Sequence, residues 1–128
     1  MVTAVTSGIK ISVKTRYEQD YSSPHNFYFL FSYQITIENL NDFPVKLLHR
    51  HWDIYDSAGE FNVVDGEGVV GQQPTIEPNQ SYSYNSGCNL RSDFGKMSGY
   101  YVMQVPNKPS HFHVDIPEFY MQASYKLN

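Results

Sequence analysis

The stretch His49-Arg50-His51-Trp52-Asp53-Ile54-Tyr55-Asp56-Ser57-Ala58-Gly59-Glu60-Phe61-Asn62-Val63-Val64-Asp65-Gly66-Glu67-Gly68-Val69-Val70-Gly71-Gln72-Gln73-Pro74 decides between two kinds of fold. Its segment Gly66-Glu67-Gly68-Val69-Val70-Gly71 matches the dinucleotide fingerprint GxGxxG letter for letter. That fingerprint works where a strand, a glycine turn and a helix follow in order, because the helix N-terminus offers free N–H groups and a positive dipole end to a pyrophosphate. Here the β-branched Val69 and Val70 follow Gly68, and Pro74 arrives three residues after Gly71. A helix has no room, and Asp65 and Glu67 would repel a phosphate. The glycines are expected to form a bend or bulge between strands, where missing side chains let backbones approach. An anion or nucleotide binder at this bend stands as an alternative that rests on a lone motif.

Upstream of the bend, Val45 to Asp56 alternates as a strand. Leu48, Trp52 and Ile54 share one face, and His49, His51, Asp53 and Tyr55 share the other. Arg50 falls on the apolar parity, so it must emerge at a bulge or meet a carboxylate, for which Asp56 is a candidate. Ser57-Ala58-Gly59-Glu60 closes a hairpin, Phe61 to Asp65 returns, and Gly66-Glu67-Gly68 interrupts the return strand.

Further strands are predicted from Gly8 through Ile9, Ile11 and Val13, and over Phe27 to Leu40. Val69 to Gln73 is a short extended piece, and Ser81 to Ser86 alternates through Tyr82 and Tyr84. Met97 to Val105, Phe112 to Ile116 ended by Pro117, and Phe119 to Leu127 complete the set. Residues 1–7 are expected to fray, and Tyr17 to Asn26 and Gly87 to Gly95 to be loops. No window of about twelve residues carries a helical period. About eight or nine strands at this spacing predict an all-β antiparallel sandwich, with a small barrel as the alternative.

The 128 residues fit one domain over 1–128, with an ordered core expected over about 8–127. A lone cysteine, Cys88, cannot pair within the chain, which points to a reducing, cytoplasmic setting. No apolar run reaches the ~18 residues of a helical membrane span, so no membrane insertion is expected. The net charge of −4 argues against nucleic acid as a partner. Between Arg50 and Arg91 there is no Lys or Arg, while Asp53, Asp56, Glu60, Asp65, Glu67 and Glu77 all fall there. This acidic edge is either a solvated surface or a surface for a basic partner or a cation.

Read together, several groups of residues form a more specific pattern. They are Leu47-Leu48, Arg50-His51-Trp52, Ile54, Asp56, Gly59, Val64, the Gly66 to Gly71 segment, Gln73-Pro74, Ile76 and Pro78. Tyr84, Ser86-Gly87, Leu90, Gly95, Met97, Gly99, Tyr101 and Met103 follow, then Phe112, Val114, Asp115-Ile116-Pro117 and Phe119. From about Gly8 onward the chain resembles the ApaG family. The resemblance implies an immunoglobulin-like or fibronectin III-like β-sandwich and a bacterial, stand-alone domain. It also implies a link to cobalt resistance and magnesium efflux without an established molecular activity. Similar domains appended to eukaryotic F-box proteins and to a DNA-polymerase-interacting protein look like protein-recognition modules. One departure is Pro78-Asn79, where the family commonly has Pro-Gly; Asn also accepts positive φ, so the turn should survive.

Chemistry at single residues is sparse. His49, His51 and Asp53 lie on one strand face at ~6.5–7 Å spacing and are candidate metal ligands. Three in a line cannot easily converge on one ion, so a closed site would need the His111 and His113 pair beside them. Ser86-Gly87-Cys88 has no paired base, so no catalytic residues and no cofactor are assigned, and the protein is expected not to be an enzyme. Trp52 is expected in the core. A non-enzymatic protein-interaction module is the expected function. Its contact candidates are Asp65, Gly66, Glu67, Gly68, Gly71 and Gln73, its protein partner is unknown, and a homodimer is compatible with exposed strand edges.

Overall fold

Alternation of apolar and polar residues along nearly the whole chain leaves little choice but paired strands. The computed structural model describes residues 1–123 and contains nine of them. They are β1 (Val2–Thr6), β2 (Ile9–Tyr17), β3 (Phe29–Asn39), β4 (Val45–Asp56) and β5 (Glu60–Glu67). The two-residue β6 (Thr75–Ile76), then β7 (Ser81–Leu90), β8 (Phe94–Gln104) and β9 (His111–Gln122) follow. Gln19–Tyr21 and Pro24–Asn26 are single 3-10 turns.

All pairings are antiparallel. One sheet runs β1-β2-β3-β7 and the other β5-β4-β8-β9, with β6 pairing the start of β4 beyond the end of β5. The two pack face to face as an immunoglobulin-like or fibronectin III-like sandwich. Its centre is fully buried Ile9, Ile11, Ile35, Ile37, Leu47, Tyr101 and Met103. Trp52 is a core residue, packed edge-on against Tyr33 at 5.6 Å and Phe119 at 6.0 Å between ring centres.

Four local expectations change. Residues 2–6 do not fray: they pair with β2 from Val2↔Val13 to Thr6↔Ile9 around a Ser7-Gly8 turn in which both residues have positive φ. β7 runs on to Leu90, because Cys88 and Leu90 continue its inward row and all of Ser81–Leu90 finds a partner on β3. Pro117 does not end a strand. It lies on β9, an edge strand, where a missing N–H costs no ladder bond. The register with β8 slips there, from Gly99↔Ile116 to Met97↔Phe119. That bulge switches the inward parity from Phe112, Val114 and Ile116 to Phe119 and Met121, so one strand reads as two in the sequence. Gly66 and Glu67 extend β5 instead of interrupting it. The predicted continuation through Tyr125 and Leu127 lies outside the described residues.

The crossover between the sheets is tied by Asn39, which is fully buried. Its Nδ2 donates to the carbonyls of Phe43 (2.8 Å) and Ile76 (3.0 Å), and its Oδ1 accepts from Asn41 N–H (3.0 Å). Its own backbone pairs with Gln80 and Asn79. Asn79 takes φ 62°, so the Pro78-Asn79 turn survives without glycine. Asn39→Leu strands the buried Ile76 carbonyl, the half-buried Phe43 carbonyl and the Asn41 N–H. It is expected to cost about 3 kcal/mol in urea unfolding, and a loss below about 1 kcal/mol would contradict this role.

Candidate functional site

The sandwich is closed on one side and open on the other. On the closed side β1 and β2 pack against β9. On the open side the edge strands β7 and β5 stand apart, and a cleft of about 550 Å³ lies between them. Its floor includes Trp52, Ile54 and Met97, β7 contributes Ser86, Cys88 and Leu90, and β5 contributes Asn62 and Val64. The cleft exists because the inward row of β7, otherwise Tyr82, Tyr84 and Leu90, carries two small residues at 86 and 88. Small or polar residues on an apolar parity were the sequence signal for it.

Arg50 projects from β4 toward this opening and does not meet Asp56. Its Nη1 donates to the carbonyls of Glu67 (3.1 Å) and Gly68 (3.0 Å). A Cβ at residue 66 would come within 2.7 Å of that nitrogen, so Gly66 is what lets the guanidinium lie there. The Asp56 carboxylate instead accepts from Ala58 N–H, Arg91 N–H and Ser92 Oγ. Burial pulls its pKa upward, but the hydrogen bonds from Ser92, Ala58 and Arg91 outweigh this and hold it below the ordinary carboxylate value.

The predicted extended piece after Gly68 is a tight hairpin. Val69 N–H bonds Gln72 O at 2.8 Å and Gln72 N–H bonds Val69 O at 2.9 Å. Val70 (φ 47°) and Gly71 (φ 74°) at its tip give it the type I′ form. Gly68 is buried, with no space for a side chain: a Cβ would lie 2.0 Å from Gln72 O. No helix follows, and the N–H groups of Gly68, Val69 and Gln72 are engaged by backbone carbonyls. The fingerprint therefore builds a hairpin and a seat for Arg50. Gln73 fastens the hairpin to β4 through Nε2 to Leu48 O at 2.9 Å. Gly71 and Val70 are exposed at its tip.

The outward face of β4 and β5 carries the histidines. His51 Nδ1 lies 2.7 Å from Asp65 Oδ1, its Nε2 lies 3.1 Å from Asp53 Oδ1, and His49 Nε2 lies 3.4 Å from Asp65 Oδ1. Asp65 is the partner that the sequence pattern missed, because it comes from the neighbouring strand in register with His51. The hydrogen bond to Asp65 raises the His51 pKa; burial opposes it, and the hydrogen bond and charge of Asp53 add to the rise. The His51 bond in turn lowers the Asp65 pKa. The two histidine pairs are not neighbours, because β8 runs between them. Tyr100 stacks on His51 at 4.8 Å and on His113 at 4.4 Å. The His111 and His113 pair therefore adds no ligand to His49, His51 and Asp53, and no three such side chains among the described residues are disposed to hold a metal. Burial, and then the Asp56 charge, push the Cys88 thiol up to about 11, which suppresses its nucleophilic form. No helix among the described residues is long and apolar enough to cross a membrane.

Fold and site together define an all-β, immunoglobulin-like sandwich with one open edge. The ApaG domain model matches residues 19–105. Protein ApaG of Shewanella woodyi is 48% identical over 92% of this chain and 93% of its own, and that of Brucella anthropi 46% over 93% and 91%. The crystal structure of a Bordetella pertussis protein provisionally named ApaA superposes with a TM-score of 0.85. It is 34% identical and covers 95% of this chain and 97% of that one. The chain belongs to the ApaG family.

Two outcomes follow from these contacts. The raised His51 pKa contributes stability that is fully present below its ordinary value of 6.5 and is lost as pH rises through the folded value. The lowered Asp65 pKa contributes stability present above 3.8 and lost as pH falls through its folded value. Asp65→Asn is expected to move the His51 imidazole titration, followed by NMR, down toward 6.5, and to destabilise most at about pH 4–6. An unmoved titration would contradict the pairing. Val70 is a β-branched residue held at φ 47°, which is strained. Val70→Gly is expected to raise stability by about 1 kcal/mol, a Tm gain of about 4 °C by calorimetry. A lower Tm would mean that the side chain, not the backbone, dominates.

Proposed function

We propose that this chain is a non-enzymatic protein-interaction module that meets its partner through β5 and the 68–73 hairpin. The observation behind this is that β5 is exposed on both faces from Phe61 to Asp65. Phe61 (63%), Val63 (51%) and Val64 (38%) leave apolar surface in water, as does Val70 (63%) at the hairpin tip. Glu60, Asp65 and Glu67 stand among them on the same strand. Apolar anchors within a charged rim are the anatomy of an interface. The suppressed thiol at Cys88 disfavours thiolate chemistry in the cleft. The cobalt and magnesium link of the family would then run through the partner, and not through transport by this chain.

The test is photo-crosslinking in the cells that make the protein, with a benzophenone residue at Phe61 or Val70 and a control at Tyr120, also exposed at 57%. Phe61 and Val70 are expected to capture one discrete protein that Tyr120 does not. Asp65→Lys with Glu67→Lys should reduce that capture roughly ten-fold while the domain stays folded. Capture that is equal at all three positions, or unchanged in the double variant, would overturn the assignment.

A further inference from the structure

The two sheets end out of step. β7 closes the first sheet with one edge bonded to β3 and no strand on the other, while β5 extends the second sheet beyond β4. The inward row of β5 is consequently uncovered, with Asn62 and Val64 exposed. The space facing that row and flanking the free edge of β7 is the 550 Å³ cleft, within the roughly 300–1,000 Å³ of ligand sites. Its dimensions and its free backbone edge suit one more strand.

Arg50 sets the chemistry of that strand. It lines both the main cleft and an adjoining cavity of about 200 Å³ that is walled by Tyr33, Trp52, Tyr84 and Ser86. The two carbonyls on Nη1 and the seat on Gly66 hold the guanidinium in place. Among the described residues no acidic side chain pairs with it, and its Nε and Nη2 have no protein acceptor. A half-buried guanidinium with two donors left in one plane matches a carboxylate fork.

We propose that the cleft docks an extended segment of a partner protein that adds as a strand to the free edge of β7. An aspartate or glutamate of that segment pairs with Arg50, and an apolar side chain on the same face rests on Trp52, Ile54 and Met97. The inference refines the interaction-module reading and depends on it. A second copy joined through β7 does not meet the requirement, since Ser81–Leu90 contains no acidic residue and would leave Arg50 unpaired. Strand addition supplies affinity through backbone bonds and specificity through alternate side chains, the division of labour this cleft offers.

The test is selection of random dodecapeptides displayed on phage against the full-length protein, followed by NMR mapping of the enriched peptides. Enriched sequences are expected to carry an acidic residue two positions from an apolar one and to shift the amides of Ser81–Leu90. Arg50→Lys, which keeps the charge and loses the fork, should weaken them roughly ten-fold. Ser86→Phe, which fills the cleft and leaves Arg50 in place, should abolish them, with both variants checked for a native amide spectrum. Failure to enrich any peptide, enrichment without an acidic residue, or binding unaffected by both variants would overturn the proposal. So would saturable binding of inorganic phosphate at Arg50 that displaces no peptide edge contact. Peptides that ignore Arg50 and Ser86 but require Asp65 and Glu67 would overturn the cleft and leave the module reading standing.

Discussion

A guanidinium on the inward row of β4 is the constraint around which the open side is arranged. Arg50 occupies a position that alternation assigns to the core, next to Trp52. Sealing an unpaired charge between two sheets would cost more than the fold can supply. The molecule instead lets the sheets part there, lays the side chain over Gly66 and gives it the carbonyls of Glu67 and Gly68. The end of β5 and Gly68 present those carbonyls just before the Val69–Gln72 hairpin, so the glycine-rich segment, the arginine and the open edge form one arrangement. The closed side needs no such device, because β1, β2 and β9 meet through apolar rows headed by Ile9, Ile11, Val114 and Ile116.

Two buried polar residues do for the loops what Arg50 does for the edge. Asn39 holds the crossover between the sheets, and the Asp56 carboxylate gathers N–H and hydroxyl donors from the turn after β4 and the turn before β8. Neither is replaceable by an apolar residue without stranding partners. The outward face works differently. The His51 contacts with Asp65 and Asp53 sit near solvent, where screening limits their worth. That chain of carboxylates and imidazoles shapes the charge of the surface more than it holds the fold.

Most of the fold was legible because period-two alternation is a direct record of which face is buried. It identified β2, β3, β4 and β8 within a residue or two at most ends, and placed Trp52 in the core. It failed where a local irregularity changes parity. The bulge at Pro117 split β9 in two, and the Val2–Thr6 segment carries too weak a pattern to reveal a strand that depends on β2. For the site, the oddity of Arg50 was visible and its partner was not. Hydrogen bonds to backbone carbonyls leave no trace in side-chain identity, whereas a carboxylate such as Asp56 attracts attention. Asp65 meets His51 only through the β4–β5 register, which the sequence does not state. The cleft depends on Ser86, whose inward parity follows from Tyr82 and Tyr84, and on Cys88, whose inward direction becomes plain only once β7 is known to reach Leu90.

Hydrogen exchange of the native protein, resolved residue by residue by NMR, bears most directly on the claim that one side of the sandwich is closed and the other open. Amides of β2 and β3 should exchange slowly throughout. Along Ser81–Leu90 slow amides bonded to β3 should alternate with fast ones on the free edge, and Phe61 to Asp65 should exchange faster than the facing residues of β4 on its β8 side. Uniform slow exchange along β7 and β5 would mean that this edge is covered in the free protein, and would contradict the account.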